Sequence, residues 1–170
     1  PTSPIRKLSK YADDAKAKGI DVIHLNIGQP DIQTPSKALD AIKSFDQNVL
    51  AYGPSEGSLA YRQKMCSYYA KHNIEVQPEN ILVTTGASEA IIMTLDCITN
   101  EGDELLIPEP FYANYDTFAA ACGVKVTTVS STIDTHFSLP SIDEIERKIN
   151  DKTRAIFICN PNNPTGYVYT

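Results

Sequence analysis

The sequence predicts an α/β fold of three layers, a mostly parallel sheet flanked by helices. Three observations carry that expectation. Short apolar runs alternate along the chain with segments of helical periodicity, the order that builds parallel sheets through right-handed crossovers. The runs at residues 81–83 (Ile-Leu-Val), 105–107 (Leu-Leu-Ile) and 155–159 (Ala-Ile-Phe-Ile-Cys) are apolar throughout, as strands covered on both faces are. Each leads into a polar turn, at Gly86 to Ser88, at Tyr112 and at Asn160 to Gly166. Ligands of such sheets collect at the carboxyl ends of the strands, so the three turns are expected to share one edge and face one pocket.

Residues 4–18 place Ile5, Leu8, Ala12 and Ala15 on one face of an amphipathic helix that Gly19 ends. A short strand is expected at 22–25 (Val-Ile-His-Leu), followed by the irregular segment 26–31, a loop that lines something. Thr34 then reads as an N-cap and Pro35 as the first position of a helix running through about Phe45. Residues 48–56 form a polar loop, and Gly57 introduces a helix with Leu59, Met65, Cys66 and Tyr69 on its buried side. Pro78-Glu79-Asn80 punctuates the chain before residues 81–93, a strand, turn and helix around which the rest is arranged. After a turn at 100–104 come the strand at 105–107 and a break at 108–112. A helix at 114–121 ended by Gly123, a strand at 124–129, a helix at 140–149 and the strand at 155–159 complete the chain. There is no internal repeat, low-complexity tract or interior linker.

The 170 residues suffice for one α/β domain with a core. A hydrophobic share of 42% with 21% charged residues is that of a soluble globular protein, and no apolar run reaches the length of a membrane span. The N-terminus lacks a signal-peptide layout, so a cytoplasmic location is expected. With 15 Lys and Arg against 21 Asp and Glu, the net charge of −6 disfavours nucleic acid as a partner and favours small-molecule chemistry. Cys66, Cys97, Cys122 and Cys159 form no CxxC pair, and His24, His72 and His136 have no partner at ligand spacing, so no metal site is expected. Cys97 and Cys159 read as small buried hydrophobes.

The turn at 84–88 (Thr-Thr-Gly-Ala-Ser) carries specific chemistry. A helix opening at Ala87 aims unpaired N–H groups and the positive end of its dipole above the strand. Gly86 lends backbone freedom and Ser88 a hydroxyl, which together suit a phosphate. Taken by itself, an ordinary capped βα turn is the favoured reading.

Asn160-Pro161-Asn162-Asn163-Pro164-Thr165-Gly166, following an apolar strand, resembles the signature of class I/II aminotransferases, the fold-type I enzymes dependent on pyridoxal 5′-phosphate. Four further stretches are similar to that family and stand in its order: residues 25–31 (Leu-Asn-Ile-Gly-Gln-Pro-Asp), 51–57 (Ala-Tyr-Gly-Pro-Ser-Glu-Gly), 83–90 (Val-Thr-Thr-Gly-Ala-Ser-Glu-Ala) and 108–112 (Pro-Glu-Pro-Phe-Tyr). Five in sequence make the resemblance specific and favour the phosphate reading of the central turn.

The resemblance implies a role for each matching residue. Gly86, Ala87 and Ser88 would hold the cofactor phosphate, through the N–H groups of Ala87 and Ser88 and the Ser88 hydroxyl. Tyr112 would lay its ring against the pyridine, and Asn163 would donate to its phenolic oxygen. Gly28 would offer its backbone near the substrate carboxylate, and Tyr52 would reach the phosphate of the neighbouring subunit in a homodimer. Each has a plainer alternative: Tyr112 as a core aromatic, Asn163 as a turn former, Tyr52 as a surface residue.

The family's Schiff-base lysine, the aspartate on the pyridine nitrogen and the arginine that grips the substrate all lie beyond the Asn-Pro-Thr-Gly signature. No lysine of this chain, Lys125 and Lys152 included, sits in the family's lysine motif, so no catalytic residue is assigned here. The chain therefore resembles the N-terminal part of an aminotransferase. Residues 1–44 would contribute to the small domain, and residues 45–170 would form the first part of an incomplete fold-type I large domain. Transfer of an amino group between an amino acid and a 2-oxo acid is expected of the longer parent, and the 170 residues alone are expected to be inactive. The alternatives are a carbon–sulfur lyase of the same fold and a non-enzymatic ligand-sensing module. A nicotinamide-binding domain is disfavoured because Thr-Gly-Ala-Ser lacks the GxGxxG spacing.

Overall fold

A computed structural model describes residues 4–25 and 28–170. The chain divides into two compact units, Pro1–Ala51 and Tyr52–Thr170.

In the first unit α1 (Pro4–Ala17) ends as expected, with Gly19 at φ 76°. The N–H groups of Gly19 and Ile20 return to the carbonyls of Lys16 and Ala15 at 2.9 and 3.1 Å, satisfying the last turn. The Ile5 and Leu8 side chains and residues Asn26 and Ile27 lie outside what the structure describes. The strand expected at 22–25 does not form: the backbone there is irregular, and Ile23 and Leu25 are 79% and 93% exposed. A strand exists only by pairing, and no partner ladder is present in this unit among the described residues. α2 (Ser36–Lys43) is shorter than predicted, and its cap is Pro35, not Thr34, with no side-chain capping bond.

The second unit is built on a parallel sheet of three strands, β1 (Glu104–Glu109), β2 (Lys125–Ser130) and β3 (Thr153–Ile156), in the order β2-β1-β3. Placing β1 at the centre explains why Leu105, Leu106 and Ile107 are buried on both faces, at 1%, 0% and 2% exposure. Each such side chain stabilises the fold by about 1.5–3 kcal/mol. α4 (Ala87–Ile98) and α5 (Asn114–Ala121) flank the sheet, and Leu95, Leu105, Ile107, Ala119 and Val124 form the core between them.

Several predicted elements change. Residues 81–83 form no ladder: the backbone bonds recorded there run from Val83 N to Glu56 O at 3.0 Å and from Ile81 N to Pro78 O at 3.2 Å. Leu82 is 52% exposed. The apolar run is strand-like in composition but pairs into no ladder among the described residues. α3 (Leu59–Ala70) has no fully buried residue; Leu59 is exposed and Met65, Cys66 and Tyr69 are half-buried. β3 begins at Thr153, earlier than expected, and its ladder closes with Phe157 N donating to Leu106 O at 2.8 Å, so 157–159 continue as irregular chain. The helix expected at 140–149 contracts to α6 (Ile142–Glu146), started by Ser141. Its hydroxyl accepts from Glu144 N at 3.3 Å while Glu144 Oε2 accepts from Ser141 N at 2.9 Å, a reciprocal cap. Cys97 is exposed, not buried, and Cys159 is half-buried.

Candidate functional site

Two of the polar turns, at 110–113 after β1 and at 160–166 beyond β3, are joined by a hydrogen bond, while the turn at 86–88 opens α4 after residues that form no strand. α4 packs Leu95 against Leu105 and joins β1 through a tight turn at 99–103. Its 12 residues rise about 18 Å at about 1.5 Å each. The 6 residues of β1 rise about 20 Å at about 3.3 Å each. Lengths this similar direct the N-terminus of α4 toward the carboxyl end of β1, from which the 110–113 loop departs.

At that N-terminus Gly86 has φ 85°, and nothing lies within 4 Å of where its Cβ would be. Ala87, Ser88 and the glycine are exposed, and the N–H groups of Ala87 and Ser88 have no acceptor among the described residues. The Thr84 hydroxyl donates to Gly86 O at 2.9 Å, and the Glu89 carboxylate accepts from Thr85 N. Glu89 thus takes the N–H of Thr85, and those of Ala87 and Ser88 stay without an acceptor among the described residues. Two free N–H donors, an adjacent hydroxyl and an open glycine fit the chemistry of a phosphate group.

The 110–113 and 160–166 loops are tied together. Asn162, 6% exposed, donates from Nδ2 to Pro110 O at 3.0 Å and to Thr165 Oγ1 at 2.9 Å. Its N–H donates to Tyr167 O at 2.8 Å, and its carbonyl accepts from Gly166 N at 2.7 Å. Asn160 adds a clasp: its side chain donates to Tyr169 O at 3.1 Å and accepts from Tyr169 N at 3.0 Å. Asn163 is held at the exposed tip of this closed loop. Tyr112, 37% exposed, meets Tyr115 edge-on at 5.4 Å, and its hydroxyl accepts from Asn114 Nδ2 at 2.6 Å. Beneath it Tyr115 packs on Phe157 at 4.5 Å and on Phe111 at 6.4 Å. Burial, with the Cys159 thiol beside it, pushes the Tyr115 phenol up to about 12, so it remains a neutral aromatic prop.

Gly86, Ala87, Ser88, Tyr112 and Asn163 thus lie in one unit, and the last two stand on loops joined by a single side chain. Tyr52 belongs to the same unit and is fully exposed, whereas Gly28 belongs to the first unit and is exposed. Sequence reasoning did not single out Asn162. Three asparagines fall within residues 160–163, and nothing in their spacing distinguishes the one that is buried. It also passed over Arg62, which donates to Gly57 O at 3.2 Å and Pro78 O at 2.7 Å and so ties α3 to the two loops beside it.

Residues 20–170 match the family described as aminotransferase class I and II. The chain is 36% identical over 165 residues to an aspartate aminotransferase of Bacillus sp. strain YM-2, covering 96% of this chain and 42% of that protein. It is likewise 36% identical over 172 residues to aromatic-amino-acid aminotransferase 2 of Thermococcus litoralis, covering 99% of this chain and 43% of that one. Among solved structures it superposes on an alanine aminotransferase from Pyrococcus furiosus with a TM-score of 0.87 at 34% identity, over 99% of this chain and 44% of the other. The chain therefore spans less than half the length of the relatives it matches.

Proposed function

The chain belongs to the aminotransferase class I and II family, and on that premise we propose that the longer protein containing it transfers an amino group between an amino acid and a 2-oxo acid using pyridoxal 5′-phosphate. The observation that supports this reading is the pair of exposed residues Ala87 and Ser88, whose N–H groups have no acceptor among the described residues at the start of α4. When bound, the cofactor supplies an electron-withdrawing pyridine ring that stabilises negative charge at the substrate α-carbon. Ala87 and Ser88 hold its phosphate with two N–H groups and a hydroxyl, at the positive end of α4. Gly86 lets that phosphate approach the backbone, since no side chain occupies the space beside it. Tyr112 packs its ring against the pyridine, and Asn163 donates to the phenolic oxygen. Gly28 presents its backbone to the substrate carboxylate.

Tyr52 reaches the phosphate of a second subunit, which makes the working form a homodimer. Its full exposure is consistent with a side chain that finds its partner elsewhere. We place the enzyme in the cytoplasm, with amino-acid and 2-oxo-acid substrates and no nucleic-acid or membrane partner; among the described residues no helix is long and apolar enough to cross a membrane. Residues 1–44 contribute to the small domain and residues 45–170 to the large one. The 170 residues alone do not turn over, because no lysine among them stands in the family's anchoring motif.

Absorbance titration of the native polypeptide with pyridoxal phosphate tests the reading, paired with amino-transfer assays on acidic, aromatic and aliphatic amino acids. Saturable binding is expected, and Ser88→Ala should weaken it about tenfold, the worth of one hydrogen bond to a charged group. Absence of binding by the unaltered protein would overturn the proposal.

A further inference from the structure

The carboxyl ends of β1 and β3 each run into an irregular loop, and one buried side-chain nitrogen joins them. Nδ2 of Asn162 carries two hydrogens, and its two acceptors, Pro110 O at 3.0 Å and Thr165 Oγ1 at 2.9 Å, use both. Among the described residues no other donor reaches Pro110 O. Tyr112 follows Pro110 by two residues and Asn163 is the next residue after Asn162. The two exposed groups expected to touch a cofactor ring therefore hang from opposite sides of one buried amide.

We propose that Asn162 is a positioning residue: its amide sets the separation of the Tyr112 and Asn163 loops, so that the Tyr112 ring and the Asn163 amide meet the same pyridine. This rests on the cofactor reading above. The chemistry demands asparagine because the side chain must donate twice from one atom. A serine donates once; an aspartate of the same shape donates nothing and turns an oxygen toward the Pro110 carbonyl. The backbone bonds of Asn162 to Tyr167 and Gly166 persist in either variant, so the 160–166 loop keeps its own closure while losing its tie to the neighbouring loop.

The test compares the native polypeptide with Asn162→Asp, Asn162→Ala and Asn163→Ala. Two quantities are read: the pH midpoint of the bound cofactor's visible absorption, and amide hydrogen exchange in peptides covering residues 110–115 and 160–167. A donor to the phenolic oxygen favours its anionic form, so loss of that donor raises the midpoint. Asn163→Ala should raise it by about one pH unit, the worth of a single charge-assisted hydrogen bond. Both Asn162 variants should shift it in the same direction, with exchange rising about tenfold in both loops together and unchanged in β1 and β2. A folded Asn162 variant with the native midpoint would overturn the proposal. If the aspartate variant fails to fold, the alanine variant decides. If the unaltered protein binds no pyridoxal phosphate, the cofactor reading fails separately; the tie then stands or falls on whether exchange in the two loops rises together.

Discussion

A Cβ placed on Gly57 would lie 2.5 Å from Cβ and Cγ2 of Val83, and the residue has φ 93°. Sequence reasoning treats this glycine as a helix-introducing turn residue; the structure shows a second demand, close passage against another segment. The contact is held from both sides, by Val83 N donating to Glu56 O at 3.0 Å and by Arg62 Nε donating to Gly57 O at 3.2 Å. Gly57→Ala should therefore lower stability by about 1–3 kcal/mol, from backbone strain plus overpacking against a β-branched neighbour. Gly86→Ala carries the backbone term alone, since open space surrounds it. Thermal melts of the two variants check the difference: equal losses would mean that the Val83 contact costs nothing. At this scale the residue types at the 84–88 turn were legible from sequence, because a helix N-terminus needs only local chain. The burial of Asn162 was not, because it depends on a carbonyl 52 residues away.

Among the strands, β1 was the most legible and proves the most central. A run apolar at every position has no solvent face, and β1 lies between β2 and β3 with register Leu106 to Thr127 on one side and Leu106 to Ile156 on the other. Leu106→Ala should cost about 2–5 kcal/mol, seen as a lower denaturant midpoint; a loss below about 1 kcal/mol would mean that the site collapses freely. The strand's first residue does different work. Glu104 accepts from Asn150 Nδ2 at 2.9 Å and Thr127 Oγ1 at 3.0 Å, and pairs with Lys125 at 3.6 Å. The Asn150 bond foremost, then Thr127 and Lys125, holds its carboxyl below the ordinary 4.5. A carboxyl depressed on folding contributes stability that is fully present above pH 4.5 and lost as pH falls through the depressed value. Glu104→Gln should thus destabilise at neutral pH and flatten the acid limb of the stability curve. An unchanged slope below pH 4.5 in that variant would show that other carboxylates govern acid unfolding. Residues 81–83 mark the limit of element-level reading: β-branched composition establishes preference, while ladder formation needs a neighbour.

For the molecule as a whole, the sheet's two outer strands each have one edge unpaired among the described residues, and apolar surface lies open beside β3. A groove of about 250 Å³ is lined by Ile91, Leu95, Ile98, Leu105, Ile156 and Phe157, and another of about 310 Å³ by Leu82, Met93, Cys97 and Ile98. Ile156, Ile158 and Leu82 are 47%, 52% and 52% exposed. Contiguous apolar surface beside an open strand edge drives association. The 170-residue chain by itself should bind a hydrophobic dye and sediment as a species larger than its 18.7 kDa. A dye-silent monomer would show these faces to be covered. The family and the parallel α/β class were determined by sequence alone, because periodicity and short motifs are local properties of the chain. So were the residue types at the 84–88 turn and at the 110–113 and 160–166 loops. Tertiary structure alone decided which apolar runs pair into a sheet, that Gly57 must pass Val83, and that a single asparagine ties the loops of Tyr112 and Asn163. The physical reason is that a ladder, a close approach and a buried hydrogen bond each need a partner from elsewhere in the chain, and that partner is set only when the whole is packed.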